Sequence, residues 1–309
     1  MDLYKALTSQ AVPVAIEPSE TSYFSAPQAG LDPRLFKSNQ LVGSVRQGIL
    51  RFLFDHLQAH YQNPEAYIYA WLAGSAVSYQ WAANRDPADL DCLVGINYVA
   101  FRRANEQYAR LSDQEIASMF NENFRLELQP LTERYLDTFE LTFYVNVQTD
   151  IRNIKPYAAY SLTDDDWTVE PQNLVAGTNP QWEKKIARDL ARGVEVLERY
   201  MKALDAIGAA TNAAARLNAE ATLKLAVDQA AAMFEDIHHG RSGAFSQSGA
   251  GYLDYANFRW QAGKQSGLVQ ALKKLKDISA KTRQQFEAQT YGMELPDASV
   301  LIRRAALRK

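Results

Sequence analysis

The sequence contains a single cysteine, Cys92, among its 309 residues. An internal disulfide is therefore excluded, and such cysteine usage is typical of a reducing compartment. Four histidines and one cysteine also argue against a structural zinc site. No stretch approaches the roughly 18 apolar residues of a membrane span, and the N-terminal segment lacks the apolar core of a signal peptide. We therefore expect a cytoplasmic protein with no membrane partner.

Charge is distributed unevenly along the chain, although the net charge is only −3. Residues 1–175 contain 13 Lys and Arg and 22 Asp and Glu, a net charge of −9. Residues 176–309 contain 20 and 14, a net charge of +6. An acidic half can hold cations and a basic half can hold polyanions. Solvated Lys and Arg on helix surfaces would explain the basic half equally well.

Hydrophobic periodicity predicts an α+β fold with an α/β-like core, in which helices flank a mixed β-sheet and a helical C-terminal domain follows. Chain-breaking residues at 171–180 place the domain boundary, so that residues 1–175 form the first domain and residues 176–309 the basic helical domain. The predicted elements are an N-terminal arm (1–38), a helix (40–61), a strand (66–73), a short helix to about residue 83, a strand (89–96), two helices (97–110 and 112–136), a strand (138–147), an irregular segment with short strands (150–174) and three long helices (180–204, 212–237 and 254–289).

The segment 72–95 is the most informative about chemistry. Gly74-Ser75 ends an apolar run, and Asp89-Leu90-Asp91 opens another after 13 intervening residues. The first element offers backbone N–H groups and a hydroxyl before a predicted helix, where phosphate oxygens bind well. The second places two carboxylates on one face of a strand, where they suit divalent ions that also hold phosphates. Alternatively, Asp89 merely follows a proline turn and Asp91 is a surface residue. Cys92 alternates with Asp91 and is expected to face the core.

The pattern Ala73-Gly74-Ser75, 13 residues and Asp89-Leu90-Asp91-Cys92 resembles the signature of the DNA polymerase β-like nucleotidyltransferase superfamily. The resemblance covers roughly residues 40–150. It implies an enzyme that transfers a nucleoside monophosphate from a nucleoside triphosphate (NTP) to an acceptor hydroxyl and releases pyrophosphate. It further implies that Gly74 and Ser75 bind the β- and γ-phosphates, and that Asp89 and Asp91 hold two Mg²⁺ (or Mn²⁺) ions.

The resemblance also implies a third carboxylate early in the next core strand. Glu140 matches that position, while Asp137 before the strand and Asp150 after it remain alternatives. Three such anions close together are unfavourable unless cations neutralise them. The sequence therefore predicts Asp89, Asp91 and Glu140 as catalytic metal ligands.

Relatives often carry a basic residue soon after the Gly-Ser turn, whereas the nearest here is Arg85. Charge compensation for a triphosphate would come from Arg85, from Arg102 and Arg103, or from the helical domain. Within that domain, Arg241 lies in a Gly-rich segment (238–243) that is predicted to be a loop, either contacting phosphate or simply connecting two helices. Lys264 shares a helix face with Asn257, Trp260 and Gln261, which would bind a base or phosphate unless the aromatic residue packs in the core.

Two other classes of function compete with this interpretation. An Asp-x-Asp motif also occurs in glycosyltransferases that use nucleotide sugars, although those enzymes do not need the Gly-Ser turn. A non-catalytic nucleotide-binding or structural protein is the second alternative. The acceptor stays open between RNA (tRNA included), a small molecule, a protein side chain and another nucleotide, and the sequence does not indicate an oligomeric state.

Overall fold

The structure, a computed structural model, describes residues 3–177, residues 179–291 and Leu301. Its internal contacts divide the chain into two compact units. The sheet unit comprises Ser22–Val175 and Phe245–Tyr252. The helical unit comprises the described residues up to Thr21, Ala176–Ala244 and the described residues from Leu253 to 291. This division differs from the sequence-based one in two segments, because the first part of the N-terminal arm groups with the helices and Phe245–Tyr252 groups with the sheet.

Helices and strands are interspersed as far as Val169, and the elements described after that residue are all helices. The strands are β1 (Phe36–Lys37), β2 (Gln40–Leu41), β3 (Ile68–Ala73), β4 (Ala88–Ile96), β5 (Phe139–Val145), β6 (Ala159–Ser161) and β7 (Asp166–Val169). The α-helices are α1 (Leu3–Gln10), α2 (Gly43–His60), α3 (Tyr98–Ala104), α4 (Asp113–Asn123), α5 (Pro180–Ala209), α6 (Ala213–Ala244), α7 (Tyr255–Gln265) and α8 (Leu268–Tyr291).

A five-stranded sheet with the order β5-β4-β3-β6-β7 organises the sheet unit. The pair β4–β5 is parallel, and the other three neighbouring pairs are antiparallel. The mixed sheet and its accompanying helices confirm the predicted α+β class. Strands β1 and β2 form a separate antiparallel pair.

One face of this sheet is covered by the main hydrophobic core of the unit. Alternate residues of β4 (Leu90, Cys92 and Val94) and of β5 (such as Leu141) are buried there, as period-two patterning requires. Helix α2 contributes a stripe of buried side chains at helical spacing, and α4 contributes Ile116, Met119 and Phe120. Cys92 is fully buried as predicted, and burial raises the pKa of its thiol. On the opposite face, β4 carries Asp89 and Asp91 and also Leu93, which packs against a smaller apolar cluster that includes Trp71 and Ile151.

Two predicted helices of the sheet unit are shorter in the structure because side chains compete for the backbone. Helix α3 ends at Ala104, where Asn105 leaves helical geometry and its buried amide donates to Phe101 O at 3.1 Å. Helix α4 begins with the predicted capping box of Ser112 and Glu115. It gives way to a π-helical turn at Phe124–Leu128 and then a 3₁₀ turn containing Pro130, which cannot continue an α-helix.

The helical unit is built around buried side chains of α5, α6 and α8, among them Leu197, Leu223 and Leu272. Helix α1 and the extended segment after it pack on this core. Tyr200 of α5 donates its hydroxyl to Val12 O at 2.7 Å, which ties the segment to the helices. The N-terminal arm is therefore ordered by helices that lie far away in sequence.

Two helix boundaries in this unit differ from the sequence prediction. Helix α6 continues through His238–Gly243 to Ala244, so the predicted Gly-rich loop there is wrong. Glycine in a helix costs about 1 kcal/mol, and the burial of Ile237 and Ala244 within the continued helix offsets it. The single helix predicted over 254–289 is two helices, because Gly267 adopts φ +81° between them. A Cβ there would lie 2.1 Å from Glu17 O.

Candidate active site

The two aspartates of the Asp-x-Asp motif lie on the polar face of β4. The strand runs from Ala88 to Ile96, and its even-numbered residues are buried in the core. Asp89 and Asp91 therefore project from the opposite face, as period-two alternation dictates. This placement matches the sequence prediction of two carboxylates on one side of a strand.

The parallel pairing of β4 with β5 brings a third carboxylate beside them. Asp89 is in register with Glu140, and Asp91 is in register with Thr142. Neighbouring strands lie about 4.8 Å apart, so these four residues form a compact polar patch. The Thr142 hydroxyl donates to Asp91 Oδ1 at 3.1 Å. Within the described residues, the Glu140 carboxylate makes no hydrogen bond or ion pair, so it is open to a ligand.

The two alternatives to Glu140 lie outside this patch. Asp137 is exposed before β5, in a left-handed conformation with φ +61°. Asp150 follows the strand, accepts a hydrogen bond from Arg152 N at 2.9 Å and pairs with the Arg152 guanidinium. The register of the two strands thus favours Glu140 as the third acidic residue of the site.

Gly74 lies immediately beside Asp91, because its neighbour Ala73 is the register partner of Asp91 in the β3–β4 pair. Its φ of +87° and ψ of −160° belong to a region that essentially only glycine occupies. A Cβ at this position would be 2.9 Å from Asp91 Oδ2. A side chain at this position would therefore crowd the Asp91 carboxylate.

The turn after Gly74 is shorter than predicted. Ser75–Val77 forms a single 3₁₀ turn, and the expected helix to about residue 83 is absent from these described residues. Ser78 ends the turn, since its hydroxyl donates to Ser75 O at 2.9 Å and accepts from Gln80 N at 3.0 Å. A long helix dipole is thus not available here, but the Ser75 hydroxyl has no hydrogen-bond partner among the described residues.

Arg85 supplies the positive charge of this site. Its Nη1 lies 2.6 Å from Asp89 Oδ2, with 50% of the Arg85 side chain and 37% of the Asp89 side chain exposed. An ion pair so exposed contributes only about 0–1 kcal/mol, and a competing cation or anion can readily separate it. Arg85 therefore neutralises part of the charge of Asp89 in the structure.

The donor atoms of this patch are of the type that a hard divalent cation prefers, although those of Asp89, Asp91 and Glu140 do not all lie within 4.8 Å of one another, so their side chains would have to move to share an ion. Asp89, Asp91 and Glu140 offer carboxylate oxygens, which Mg²⁺ and Mn²⁺ prefer over nitrogen or sulfur. Gly74 leaves the space beside Asp91 that a side chain would fill. Arg85 holds the Asp89 carboxylate in the structure as described, so binding of a cation would require that ion pair to open.

The other two predicted binding residues, Arg241 and Lys264, belong to the helical unit. Arg241 lies on α6, not in a loop, and its guanidinium carbon is 5.3 Å from the centre of the Trp260 ring. Lys264 is in the last turn of α7, where its carbonyl accepts from Ser19 Oγ at 2.8 Å. Trp260 packs against the core of the unit, as the alternative interpretation of that face expected.

Ion pairs occupy part of the basic surface of the helical unit. Arg259 binds Asp189 at 2.6 Å and Asp236 at 2.7 Å, and its side chain is only 18% exposed. Lys276 pairs with Glu235. In contrast, Lys273 and Lys274 on α8 are exposed. The positive charge that a ligand could reach is therefore smaller than the net charge of the sequence suggests.

Sequence reasoning missed one cluster of potential metal ligands. His56 and His60 of α2 and Glu127 of the π-helical turn have ligand atoms within 4.8 Å of one another, and no other group of three or more His, Cys, Asp or Glu in the described part of the chain does so. The i, i+4 spacing of the two histidines was visible in the sequence. The approach of Glu127 was not, because it depends on a turn whose geometry the sequence did not predict.

No protein-family model, curated protein or solved structure matches the chain. Within the described residues, no helix is both long enough and apolar enough to cross a bilayer. A function for this chain is therefore inferred from the geometry of the site.

Proposed function

We propose that this protein is a metal-dependent nucleotidyltransferase that moves a nucleoside monophosphate from an NTP to an acceptor hydroxyl with release of pyrophosphate. One observation carries the proposal: three acidic residues from two parallel strands share a sheet face directly beside a Gly-Ser turn. This combination supports the resemblance to the DNA polymerase β-like superfamily, since both parts that the chemistry needs are adjacent.

Asp89, Asp91 and Glu140 would hold the divalent ions, Mg²⁺ or Mn²⁺. Such ions, when bound, activate the attacking hydroxyl and stabilise the charge that develops on the leaving pyrophosphate. Thr142 orients Asp91 through its hydrogen bond and so fixes the direction of one carboxylate oxygen. If Asp89 bound a cation, its ion pair with Arg85 would open. Arg85 would then be available to bind the triphosphate.

The Gly74-Ser75 turn would bind the β- and γ-phosphates. Its unpartnered Ser75 hydroxyl is a hydrogen-bond donor, and the absence of a side chain at Gly74 lets phosphate oxygens approach the backbone beside Asp91. The short 3₁₀ turn has no long helix dipole to attract the phosphates. Arg85 would therefore supply most of the positive charge that binds them.

Exposed aromatic residues on the same sheet face would stack on the base of the nucleotide. Tyr144 of β5 follows Thr142 by two residues and is 54% exposed, and Tyr69 of β3 is 39% exposed. Stacking of a base on such a ring contributes roughly 1–3 kcal/mol with little base selectivity. The acceptor we favour is RNA, tRNA included, on account of the basic helical half.

The test is transfer of radiolabel from each α-³²P-labelled NTP in Mg²⁺ or Mn²⁺ to total RNA, protein and metabolites. We expect label from the α-phosphate to be transferred and label from the γ-phosphate to leave as pyrophosphate. Asp91→Asn and Glu140→Gln should each lower the rate by about 10²-fold or more, because each removes a carboxylate charge that would hold a divalent ion at the reaction centre.

Asp137→Asn is the matched control, since Asp137 lies just before the same strand but outside the patch. It should transfer label at the wild-type rate. Wild-type rates in both Asp91→Asn and Glu140→Gln would overturn the proposal. Binding of nucleotide sugars in preference to NTPs would instead indicate the glycosyltransferase alternative.

A further inference from the structure

A second cluster of metal-binding side chains lies on the core-covering side of the sheet unit. His56 and His60 are one helical turn apart on α2, and their ring centroids are 4.7 Å apart. Glu127 reaches them from the π-helical turn Phe124–Leu128, with its Oε2 at 2.8 Å from His60 Nε2. One ring nitrogen of each histidine and one carboxylate oxygen all lie within 4.8 Å of one another. These distances allow three ligands to converge on one ion with small side-chain adjustments.

The His56 side chain carries an independent indication of a missing ligand. Its Nε2 is buried and has no hydrogen-bond partner among the described residues. A buried nitrogen without a partner is unfavourable, and natural proteins rarely leave one unexplained. A metal ion bound at this nitrogen would satisfy it.

Metal ions bind the neutral form of an imidazole. Burial lowers the pKa of His56, and the Glu127 carboxylate opposes this effect. Glu127 supplies negative charge that offsets part of the charge of a divalent cation.

The elements that carry these ligands are firmly packed. The same helix α2 buries Leu53 and Leu57 in the main core, and Phe124 at the start of the π-helical turn is buried with its ring centroid 5.7 Å from that of His56. Turns of π-helix occur often at functional sites. A site on such elements needs little ordering when the ion binds.

We propose that His56, His60 and Glu127 form a binding site for a borderline transition-metal ion, foremost Zn²⁺, that links α2 to the π-helical turn. Two imidazole nitrogens and one carboxylate oxygen suit Zn²⁺ and disfavour Mg²⁺. The set leaves the fourth tetrahedral position for water. This site is separate from the Asp89, Asp91 and Glu140 patch, because α2 packs on the face of the sheet opposite to those carboxylates.

The experiment is Zn²⁺ titration of chelator-stripped, full-length protein by calorimetry, with Co²⁺ absorption spectroscopy as a probe of tetrahedral coordination by nitrogen. We expect one tight Zn²⁺ site per chain and a rise in melting temperature on Zn²⁺ addition. His60→Gln and Glu127→Gln should each weaken Zn²⁺ binding by at least about 10-fold. Both side chains are partly exposed, so neither substitution opens a cavity in the core.

Two control variants distinguish this site from other sources of Zn²⁺ binding. His239→Gln alters another histidine that is paired with a glutamate, here Glu235 at 3.4 Å, and should bind Zn²⁺ as the wild type does. Asp91→Asn should also bind Zn²⁺ as the wild type does. This result would distinguish the Zn²⁺ site from the proposed catalytic metal site. The proposal is overturned if wild-type protein shows no tight Zn²⁺ site, or if His60→Gln and Glu127→Gln bind Zn²⁺ as tightly as wild type.

Discussion

At the scale of a single residue, Gly74 shows how the backbone defines the candidate site. Its conformation is one that costs other residues about 1–3 kcal/mol, and the position of an added Cβ, 2.9 Å from Asp91 Oδ2, would push that carboxylate aside. Both effects act on the same two groups, namely the turn that is proposed to bind phosphate and the carboxylate that is proposed to bind metal. The smallest possible substitution should therefore disturb both.

We predict that Gly74→Ala lowers the free energy of unfolding by about 1–3 kcal/mol and reduces nucleotidyl transfer to near background. Chemical denaturation and the radiolabel assay measure the two effects separately. Gly43→Ala is the control, because Gly43 begins α2 and an added Cβ there meets nothing within 4 Å. A Gly74→Ala protein with wild-type stability and activity would show that the close approach to Asp91 has no role.

At the scale of secondary-structure elements, α6 is a helix that tertiary contacts stabilise across a segment of low helix propensity. That segment, 238–243, contains two glycines. His238 lies where the sequence indicated a loop, and its ring stacks on Phe234 with centroids 5.6 Å apart and planes 12° apart. Trp260 of α7 lies against the same ring at 5.5 Å. These aromatic contacts help to explain why α6 continues through two glycines to Ala244.

Burial lowers the pKa of His238 below the usual value of 6.5, and the positive charges of Arg241, Lys276 and His239 act in the same direction against Glu235. The unfolded chain therefore binds a proton at His238 more readily than the folded protein. This residue's contribution to stability is present above pH 6.5 and is lost as the pH falls from there through its lower folded-state pKa.

We predict that the wild-type unfolding free energy falls between about pH 7 and pH 5 and that His238→Gln makes this fall less steep. Denaturant unfolding at a series of pH values provides the measurement. His239→Gln alters the exposed neighbour, whose charge is the smallest of these influences on His238, and should change the slope less than His238→Gln does. An equal slope in His238→Gln and wild type would mean that other groups cause the acid sensitivity.

How much of these elements the sequence predicted depends on how local their causes are. The alternation of Asp89 and Asp91 with buried apolar residues is local, so the face of β4 was predictable. Glu140 was predicted as the third carboxylate from the resemblance, whereas its register with Asp89 depends on a parallel strand pair that distant residues determine. The helix breaks near Asn105 and Pro130 depended on side-chain competition and a π-helical turn. The same turn brings Glu127 to the histidines, which is why that cluster was missed.

At the scale of the whole molecule, opposite charges separate along the chain, with −9 in residues 1–175 and +6 in residues 176–309. The structure refines this picture, since Arg259 and Lys276 are engaged in ion pairs with acidic residues of the helical unit. Exposed lysines such as Lys273 and Lys274 remain for an external polyanion. The proposed RNA acceptor would have to bind mainly through such residues.

We predict that the protein binds RNA at low salt and that affinity falls steeply as salt rises, with a log–log slope of about −0.7 per phosphate contact on single strands. Each contact releases condensed counterions, so the double variant Lys273→Gln, Lys274→Gln should reduce the slope by about 1.4. Lys202→Gln removes a lysine of α5 that is already paired with Glu198, and should leave the slope unchanged. Filter binding of tRNA and of unstructured RNA over a salt series measures these slopes.

If neither RNA binds at low salt, the nucleic-acid acceptor is rejected and the basic half is a solvated surface. A small-molecule or protein acceptor would then be expected, and the rate of transfer to either should depend little on salt.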